Sequence, residues 1–178
     1  MKNGCKKKEL YFIGILPPKD ILVEIEEFKK ICMKKFNSKH AMILPAHITL
    51  VSPFHSEEQD FFSLKSVLRK ILKKNIIVEL NGFSYFEKRV IYVDIRRNKE
   101  LFRLKKRIDD KVGKIYKKKL IDDNFLPHIT VASKDLTEEN FTPAWKYFKD
   151  IEYKRIFKAK KIVVFKLEDS GWEKFIFL

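Results

Sequence analysis

Two stretches of the chain repeat one pattern, Ala46-His47-Ile48-Thr49-Leu50 and Pro127-His128-Ile129-Thr130-Val131. Both are rich in the β-branched residues that favour strands, so each predicts a β-strand, the first beginning at about residue 42. Alternate side chains of a strand point to opposite faces. We therefore expect the histidine and threonine of each stretch to share one face, while the intervening apolar residues enter a core.

The duplication gives this pattern its weight, because a lone His-x-Thr in a strand is usually a structural feature. The chain has four histidines, and two of them, His47 and His128, stand in matched apolar settings. Two imidazoles can supply a general acid and a general base near neutral pH. Two hydroxyls can donate to the non-bridging oxygens of a phosphate. The paired motifs are therefore typical of phosphodiester cleavage.

The residues around the motifs repeat at about the same spacing along the chain as His47 and His128. Residues 9–13 have a counterpart in residues 89–93, and an amphipathic stretch follows each. Each half of the chain reads strand, helix, motif strand, helix, strand. Such an internal repeat predicts two similar lobes, over about 9–87 and 88–178. If an approximate twofold axis relates the lobes, the two motifs face each other across the seam.

The motifs resemble the two-histidine (2H) phosphoesterase superfamily, in its bacterial 2'-5' RNA ligase-like branch. The likeness rests on His47-Ile48-Thr49-Leu50 followed by Pro53-Phe54, and on Phe125-Leu126-Pro127-His128-Ile129-Thr130-Val131-Ala132. It extends from about Leu10 to the C-terminus. It implies one bilobal domain over residues 1–178 of the α+β class, with antiparallel sheets facing a central cleft and helices outside.

The resemblance also implies a catalytic quartet of His47, Thr49, His128 and Thr130 that needs no metal or other cofactor. The expected activity is a metal-independent phosphodiesterase on RNA-like 2',3'-cyclic phosphate or 2'-5' phosphodiester bonds. Which histidine is the base stays open. So does the direction, because hydrolysis and ligation share their machinery by microscopic reversibility. The physiological substrate could be a nucleotide, an RNA end or a small cyclic phosphate.

Three further residues are candidates for substrate binding. Phe12 shares a strand face with Gly14 and could stack on a base, since the first strand lines the cleft in similar proteins. Phe54 follows the first motif and could form an aromatic rim. Lys134 follows the second motif and could reach a phosphate. Core packing is the alternative for both phenylalanines, and a solvated surface is the alternative for the lysine.

Composition favours a polyanionic partner. The 178 residues carry a formal charge of +15, which attracts RNA or nucleotides, although a general lysine bias is another source for it. No stretch reaches the length of a membrane span, and no helix joins a basic face to a strongly apolar one. Cys5 and Cys32 have neither metal-ligand nor disulfide spacing. We expect a cytoplasmic monomer with reduced thiols and no membrane contact.

Two other interpretations are open. A non-catalytic RNA- or nucleotide-binding module would keep the pocket and use its charge for affinity alone, although binding does not require both histidine–threonine pairs. A structural role would place both motifs in a core, but it gives no reason for a polar pair in each.

The pattern outside the motifs predicts the flanking elements. Apolar residues at helical spacing indicate a helix over 19–36. Ser56, with Gln59 three residues later, has the form of a capping box for a second helix. Asn98 is expected to cap a third helix. One strand over about 155–167 and another over 172–177 are expected to end the fold.

Overall fold

The computed structural model describes residues 8–71, 76–116 and 125–177, and Cys5 lies outside this part. The described chain forms eight strands, four α-helices and a 3-10 turn at His40–Ile43. The strands are Glu9–Ile15 (β1), Ile48–Ser56 (β2), Ile76–Phe86 (β3), Val90–Ile95 (β4), His128–Ala132 (β5), Lys154–Ala159 (β6), Ile162–Glu168 (β7) and Gly171–Phe177 (β8). The helices are Lys19–Phe36 (α1), Glu58–Ile71 (α2), Lys99–Tyr116 (α3) and Glu138–Phe148 (α4).

The strands form two four-stranded antiparallel sheets. The first sheet has the order β2-β1-β7-β8, and the second has the order β5-β4-β3-β6. Both motif strands, β2 and β5, stand at a sheet edge, and these two edge strands contact each other. The α+β class and the two antiparallel sheets agree with the prediction. The two motifs therefore meet at the seam between the sheets.

Each sheet draws strands and helices from both halves of the chain. The predicted boundary near residue 87 does not separate the sheets, because β3 leaves the first half to pair with β4 and β6. Conversely, β7 from the second half of the chain pairs with β1 in the first sheet. The helices cross as well, since α1 packs with α4 and β5, while α3 packs with α2 and β2. The sheet to which each strand belongs is determined by hydrogen bonding between strands, and the order of the strands along the sequence does not encode it.

The predicted long strand over 155–167 is wrong in one respect. It is broken at Lys160 and Lys161, and its two parts belong to different sheets. β6 closes the edge of the second sheet beside β3, whereas β7 enters the first sheet beside β1. No glycine, proline, asparagine or aspartate stands between the two parts, so no turn residue marks the break. This short connection is where the chain passes between the sheets.

Two local predictions near the first motif also need correction. Residues 40–43 form the 3-10 turn, so the motif strand begins at Ile48 and His47 immediately precedes it. Ser56 is the last residue of β2, and its Oγ donates to the Glu57 carbonyl and shares a 2.7 Å hydrogen bond with the Tyr116 hydroxyl. Ser56 therefore ties β2 to α3, and since α2 begins at Glu58, Glu57 and not Ser56 immediately precedes the helix. The side chain of Gln59, the other member of the predicted capping box, lies outside the described residues.

The predicted helix over 19–36 is confirmed, as is the cap at Asn98. One continuous hydrophobic core packs between the helices and the inner faces of both sheets. Cys32 lies in it as a free thiol whose burial raises its pKa to about 12. A second, smaller cluster lies on the opposite face of the first sheet. Within the described ranges, no helix is long and apolar enough to cross a membrane.

Asn98→Ala should destabilise the protein without touching the motifs. The Asn98 Oδ1 accepts the backbone N–H groups of Glu100 and Leu101 at 3.0 and 3.1 Å, and its Nδ2 donates to the Ile77 carbonyl. Loss of such a cap costs roughly 1–2 kcal/mol of unfolding free energy. Urea denaturation measures this loss. Lys99→Ala, at the exposed next position, is the control, and an equal loss there would contradict the capping role.

Candidate active site

Both motifs present their polar residues on one face, as alternation predicts. Ile48 and Leu50 are fully buried in the core, whereas His47 and Thr49 are half-buried on the other side of the strand. In β5, Ile129 and Val131 are likewise buried. His128 and Thr130 are half-buried on the opposite face. Each strand thus anchors its motif through the core and leaves the polar pair accessible.

Each motif imidazole is fixed by a hydrogen bond to the chain just before it. His47 Nδ1 donates to the Pro45 carbonyl oxygen at 2.8 Å, and His128 Nδ1 donates to the Leu126 carbonyl oxygen at 2.7 Å. A carbonyl can only accept, so each Nδ1 carries the proton. The neutral imidazole then has its lone pair on Nε2. Both rings therefore direct the same kind of nitrogen, a proton acceptor when neutral, away from the backbone.

A pair of aromatic rings packs against each histidine. The His47 ring centroid lies 5.0 Å from that of Phe12 and 5.7 Å from that of Phe165, and these two phenylalanines are stacked at 4.3 Å. The His128 ring lies 5.0 Å from both Phe86 and Tyr92, which are also stacked at 4.3 Å. The pseudo-symmetry thus extends to the support beneath each imidazole.

Gly14 allows β1 to lie close to β2 beside the first motif. It pairs directly with Thr49, and a Cβ added at Gly14 would lie 2.8 Å from the Ile48 carbonyl oxygen and 3.6 Å from His47 Cδ2. Any side chain larger than hydrogen would push β1 and β2 apart at the motif. The glycine therefore permits the close approach of the two strands that seats His47.

The environment of the two histidines favours their neutral forms. Burial among the aromatic rings, together with the nearby charges of Lys29 and His128, lowers the pKa of His47 to about 4. Burial also lowers the pKa of His128, while Asp94, its neighbour across the sheet, acts to raise it. Because the charge of His128 is felt at His47, the two imidazoles lie in one electrostatic site.

A buried ion pair on α1 holds the segment that precedes His47. Lys29 is only 2% exposed, and its Nζ donates to Glu26 Oε1 at 3.0 Å and to the Leu44 carbonyl at 2.7 Å. The same Glu26 oxygen accepts the Ala46 backbone N–H at 2.7 Å. The peptide groups on both sides of Pro45 are thereby fixed. Since Pro45 provides the acceptor for His47, Lys29 and Glu26 position the imidazole.

Asp135 connects the loops that flank the two motifs. Its carboxylate accepts the Ser38 hydroxyl at 2.8 Å and the backbone N–H groups of Lys39 and His40 at 2.7 and 2.8 Å. Burial acts to raise the pKa of Asp135, but these hydrogen bonds together lower it. The loop after β5 is thus tied to the loop before the first motif.

The three secondary candidates lie in different surroundings. Phe12 is 2% exposed and packs between His47, Phe165 and Trp172, so it supports the imidazole from below. Phe54 is buried in the main core against Tyr11 and Tyr116, on the side away from the motifs, which corrects the predicted rim position. Lys134 is exposed in the loop after β5, with a positive φ of 51°.

Some of the site residues that were not predicted do leave a signal in the sequence. Lys29 falls four residues after Ile25 and three before Cys32, within the apolar stripe of α1, with Glu26 one turn earlier. A lysine at such a position indicates a buried cation with a partner. Tyr92 stands in the repeat where Phe12 stands in the first half. Asp135 and Phe165 have no comparable signal, because their partners are distant in sequence.

The described residues contain no group of three or more histidine, cysteine or acidic side chains that could hold a metal ion. The two contacting motif strands carry two imidazoles, whose Nε2 atoms form no hydrogen bond with another described residue, and the two motif threonines. This donor set is suited to proton transfer and to hydrogen bonding of an anion.

Comparison with known proteins gives a consistent picture. A family model described as the 2'-5' RNA ligase superfamily matches residues 17–171. The chain is 30% identical over 142 residues to "Putative phosphoesterase GWCH70_0799" of Geobacillus sp. strain WCH70, covering 76% of this chain and 75% of that protein. It is 28% identical over 170 residues to "Putative phosphoesterase GK0864" of Geobacillus kaustophilus, covering 91% of each.

Solved structures share the fold at low sequence identity. Apo LigT of Escherichia coli aligns with a TM-score of 0.70 and 12% identity, covering 97% of both chains. LigT complexed with 3'-AMP aligns with a TM-score of 0.68 and 14% identity, covering 97% of this chain and 98% of LigT. TT0787 of Thermus thermophilus gives 0.58 and 17%, covering 96% and 94%. These alignments establish the two-lobe α+β fold.

Lys29→Met should raise the pKa of His47 and so leave less of its imidazole neutral at a given pH. It removes a cation that disfavours the imidazolium and releases the Leu44 carbonyl. We expect the unfolding free energy to fall by roughly 1–3 kcal/mol, as for other buried groups that lose a partner. NMR titration of His47 and the pH dependence of kcat are the measurements, since a purely structural role would leave the pKa in place.

Glu26→Gln combined with Lys29→Met is the matched control for that variant. The double variant has no unpaired carboxylate, so part of the lost stability should return and the pKa of His47 should lie below that of the single variant. An unchanged His47 titration in Lys29→Met would contradict the positioning role.

Proposed function

Because the chain belongs to the 2'-5' RNA ligase superfamily, we propose that it is a metal-independent phosphodiesterase acting on RNA-like 2',3'-cyclic phosphate or 2'-5' phosphodiester bonds. The observation that carries the proposal is the pair of equivalent imidazoles, each with Nδ1 bonded to a carbonyl and Nε2 free. LigT has been crystallised with 3'-AMP, ATP and NADP+, which supports a nucleotide-like ligand for this fold. We also propose that the protein works as a cytoplasmic monomer.

His47 is the proposed general base for hydrolysis. Its burial, Lys29 and His128 all disfavour the protonated ring, so it is neutral at physiological pH. Its free Nε2 accepts the proton of the attacking water, whose oxygen forms the new bond to phosphorus. A base that is already deprotonated in the resting protein needs no prior proton release.

His128 is the proposed general acid. The Asp94 carboxylate favours its protonated form, and the negative charge of a bound phosphate adds to that effect. The imidazolium Nε2–H then donates its proton to the departing ribose oxygen as the P–O bond breaks. Ligation runs the same steps in reverse, with the roles of the two histidines exchanged.

Thr49 and Thr130 are the proposed donors to the non-bridging phosphate oxygens. Each lies two residues after a motif histidine on the same strand face, and each is half-buried. A fixed hydroxyl in a partly desolvated site stabilises developing charge without reorganisation. Removal of one such donor typically costs about 10²–10³-fold in rate.

His47→Ala and His128→Ala should each lower kcat on nucleoside 2',3'-cyclic monophosphates by roughly 10²–10⁴-fold, because each removes one proton-transfer group. An activated p-nitrophenyl phosphodiester separates the roles, since its leaving group needs no protonation. On that substrate His128→Ala should recover most of its activity and His47→Ala should not. Assays in EDTA complete the test. Loss of turnover on chelation, or full activity in either alanine variant, would contradict the proposal.

The pH dependence of kcat/KM should be bell-shaped with its maximum below pH 6.5. Activity falls on the acidic side as His47 is protonated, near pH 4, and on the alkaline side as His128 is deprotonated, below its usual 6.5. The profile of kcat should lie at higher pH, because the bound phosphate raises the pKa of both rings.

Asp94→Asn tests the assignment of the alkaline limb. Without the carboxylate, the pKa of His128 should fall, so that limb should move to lower pH. Asp169→Asn, in the exposed turn between β7 and β8, is the matched control and should leave the limb in place. A maximum above pH 8 in the parent protein would contradict the scheme.

A further inference from the structure

A cavity of about 530 Å³ lies where the start of α1 meets the connection between β6 and β7. Leu16, just after β1, and Val163, on β7, line it from the first sheet. Ile156 and Lys158, on β6, line it from the second sheet, and Lys160 and Lys161 lie between the two strands. The cavity is therefore built where the chain passes from one sheet to the other.

The cavity continues the face of the first sheet that carries the first motif. Thr49 pairs with Gly14, and Gly14 pairs with Val163, so these three residues form one row across the sheet. Two strand spacings separate Thr49 from Val163, which places the cavity wall about 10 Å from the motif. Val163 and Leu16 pack in the small cluster whose Phe12 and Phe165 contact the His47 ring.

The second sheet also turns its non-core face toward the cavity. Phe157 and Ala159 are buried in the core, so the alternate residues of β6, Ile156 and Lys158, lie on the other face. His128 and Thr130 occupy that same face on β5. Ile156 is 69% exposed and contributes an accessible apolar side chain to the lining. The cavity thus combines apolar walls with a rim of amino groups.

The charge of the cavity is positive. Lys158, Lys160 and Lys161 are exposed, and none of them forms an ion pair with another described residue. Asp20 is the one acidic residue of the lining, and its charge acts on Arg155 and Tyr153. Three cations against one carboxylate favour an anion. Apolar walls beside them favour an anion that also carries a weakly polar group, and a nucleotide is such an anion.

We propose that this cavity is a subsite for the nucleotide next to the reacting linkage, with the phosphate of that nucleotide held by Lys158, Lys160 and Lys161, so that substrates longer than one nucleotide use it. The inference rests on the proposed function, because that function places the reacting phosphate between the two motifs. The cavity wall at Val163 lies about 10 Å from the motif, a distance that a neighbouring nucleotide of the same strand can span. A cyclic mononucleotide has no second phosphate for the three lysines to hold.

The test compares substrates of increasing length in the triple variant Lys158→Gln/Lys160→Gln/Lys161→Gln. The substrates are a nucleoside 2',3'-cyclic monophosphate, its 5'-phosphorylated form and an oligoribonucleotide ending in a 2',3'-cyclic phosphate. We expect the ratio of kcat/KM for the oligomer to that for the mononucleotide to fall roughly tenfold, as three exposed charge contacts predict. An unchanged ratio would overturn the proposal.

A matched triple variant on α3, Lys106→Gln/Lys111→Gln/Lys114→Gln, makes the same change in net charge away from the cavity. It should leave the ratio near that of the parent. An equal fall in both triple variants would mean that the long-range field, and not the cavity, attracts RNA, and would overturn the proposal.

Binding provides a readout that needs no turnover. Fluorescence anisotropy of a labelled oligoribonucleotide ending in a 3'-phosphate, measured over a range of salt concentrations, should show a smaller salt dependence in the cavity variant. Its slope in a plot of log affinity against log salt should decrease by about 2 at most, since each phosphate contact on a single strand contributes roughly 0.7.

The same binding assay shows whether the phosphate held by the three lysines belongs to an RNA strand or to a free polyphosphate such as ATP. If the cavity variant loses affinity for ATP but not for the oligonucleotide, the cavity holds a free polyphosphate and the RNA assignment is wrong. If RNA binding falls in the cavity variant while no form of the protein turns over cyclic phosphates, the subsite stands and the proposed catalytic function fails.

Discussion

The hydrogen bond from each motif Nδ1 to the carbonyl two residues earlier is the constraint on which the site depends. It fixes the tautomer and the direction of Nε2, but its acceptor lies outside the strand, at Pro45 in one motif and Leu126 in the other. A strand ladder cannot hold these segments. Helices hold them instead. The segment that carries Pro45 is held by Lys29 and Glu26 of α1. Next to the segment that carries Leu126, Phe102 and Lys105 of α3 pack against Phe125. Each helix buries a lysine–carboxylate pair for this purpose, Lys29 with Glu26 and Lys105 with Asp109.

The exchange of elements between the halves makes the two motifs parts of one unit. The α1 helix, which positions His47, packs on β5, the strand that carries His128. The α3 helix, which flanks the second motif, packs on β2. Asp135 then ties the loop after β5 to the loop after α1. The supports of each imidazole are therefore packed against the strand that carries the other motif.

The sequence was sufficient for those features that local periodicity controls. Strand alternation predicted that His47 and Thr49 share a face, helical spacing predicted α1, and the side chain of Asn98 predicted the start of α3. Features that depend on partners distant in sequence were not predictable in the same way. No glycine, proline, asparagine or aspartate separates β6 from β7, so no turn residue indicates that the two strands join different sheets. Ser56 has the form of a cap, but the hydroxyl of Tyr116, which lies sixty residues later, competes for it. The lysine within the apolar stripe of α1 was a readable signal, whereas the carboxylate of Asp135 had none.

Under the proposed function, the electrostatics of the two imidazoles give a bound phosphate a second effect, on the protonation of the rings. A fall in the pKa of His47 from 6.5 to about 4 means that its imidazolium is disfavoured by roughly 3 kcal/mol. The overall charge of +15 acts in the same direction on both rings. One negative charge at about 4 Å contributes a comparable amount, on the order of 4 kcal/mol, at the effective dielectric of a partly buried site. A bound phosphodiester would offset the cost of protonating an imidazole, and in the proposed mechanism this effect serves the general acid His128, whose pKa burial also lowers. Binding of the anion and protonation of His128 would then be coupled, because the aromatic rings of Phe86 and Tyr92 pack against this imidazole.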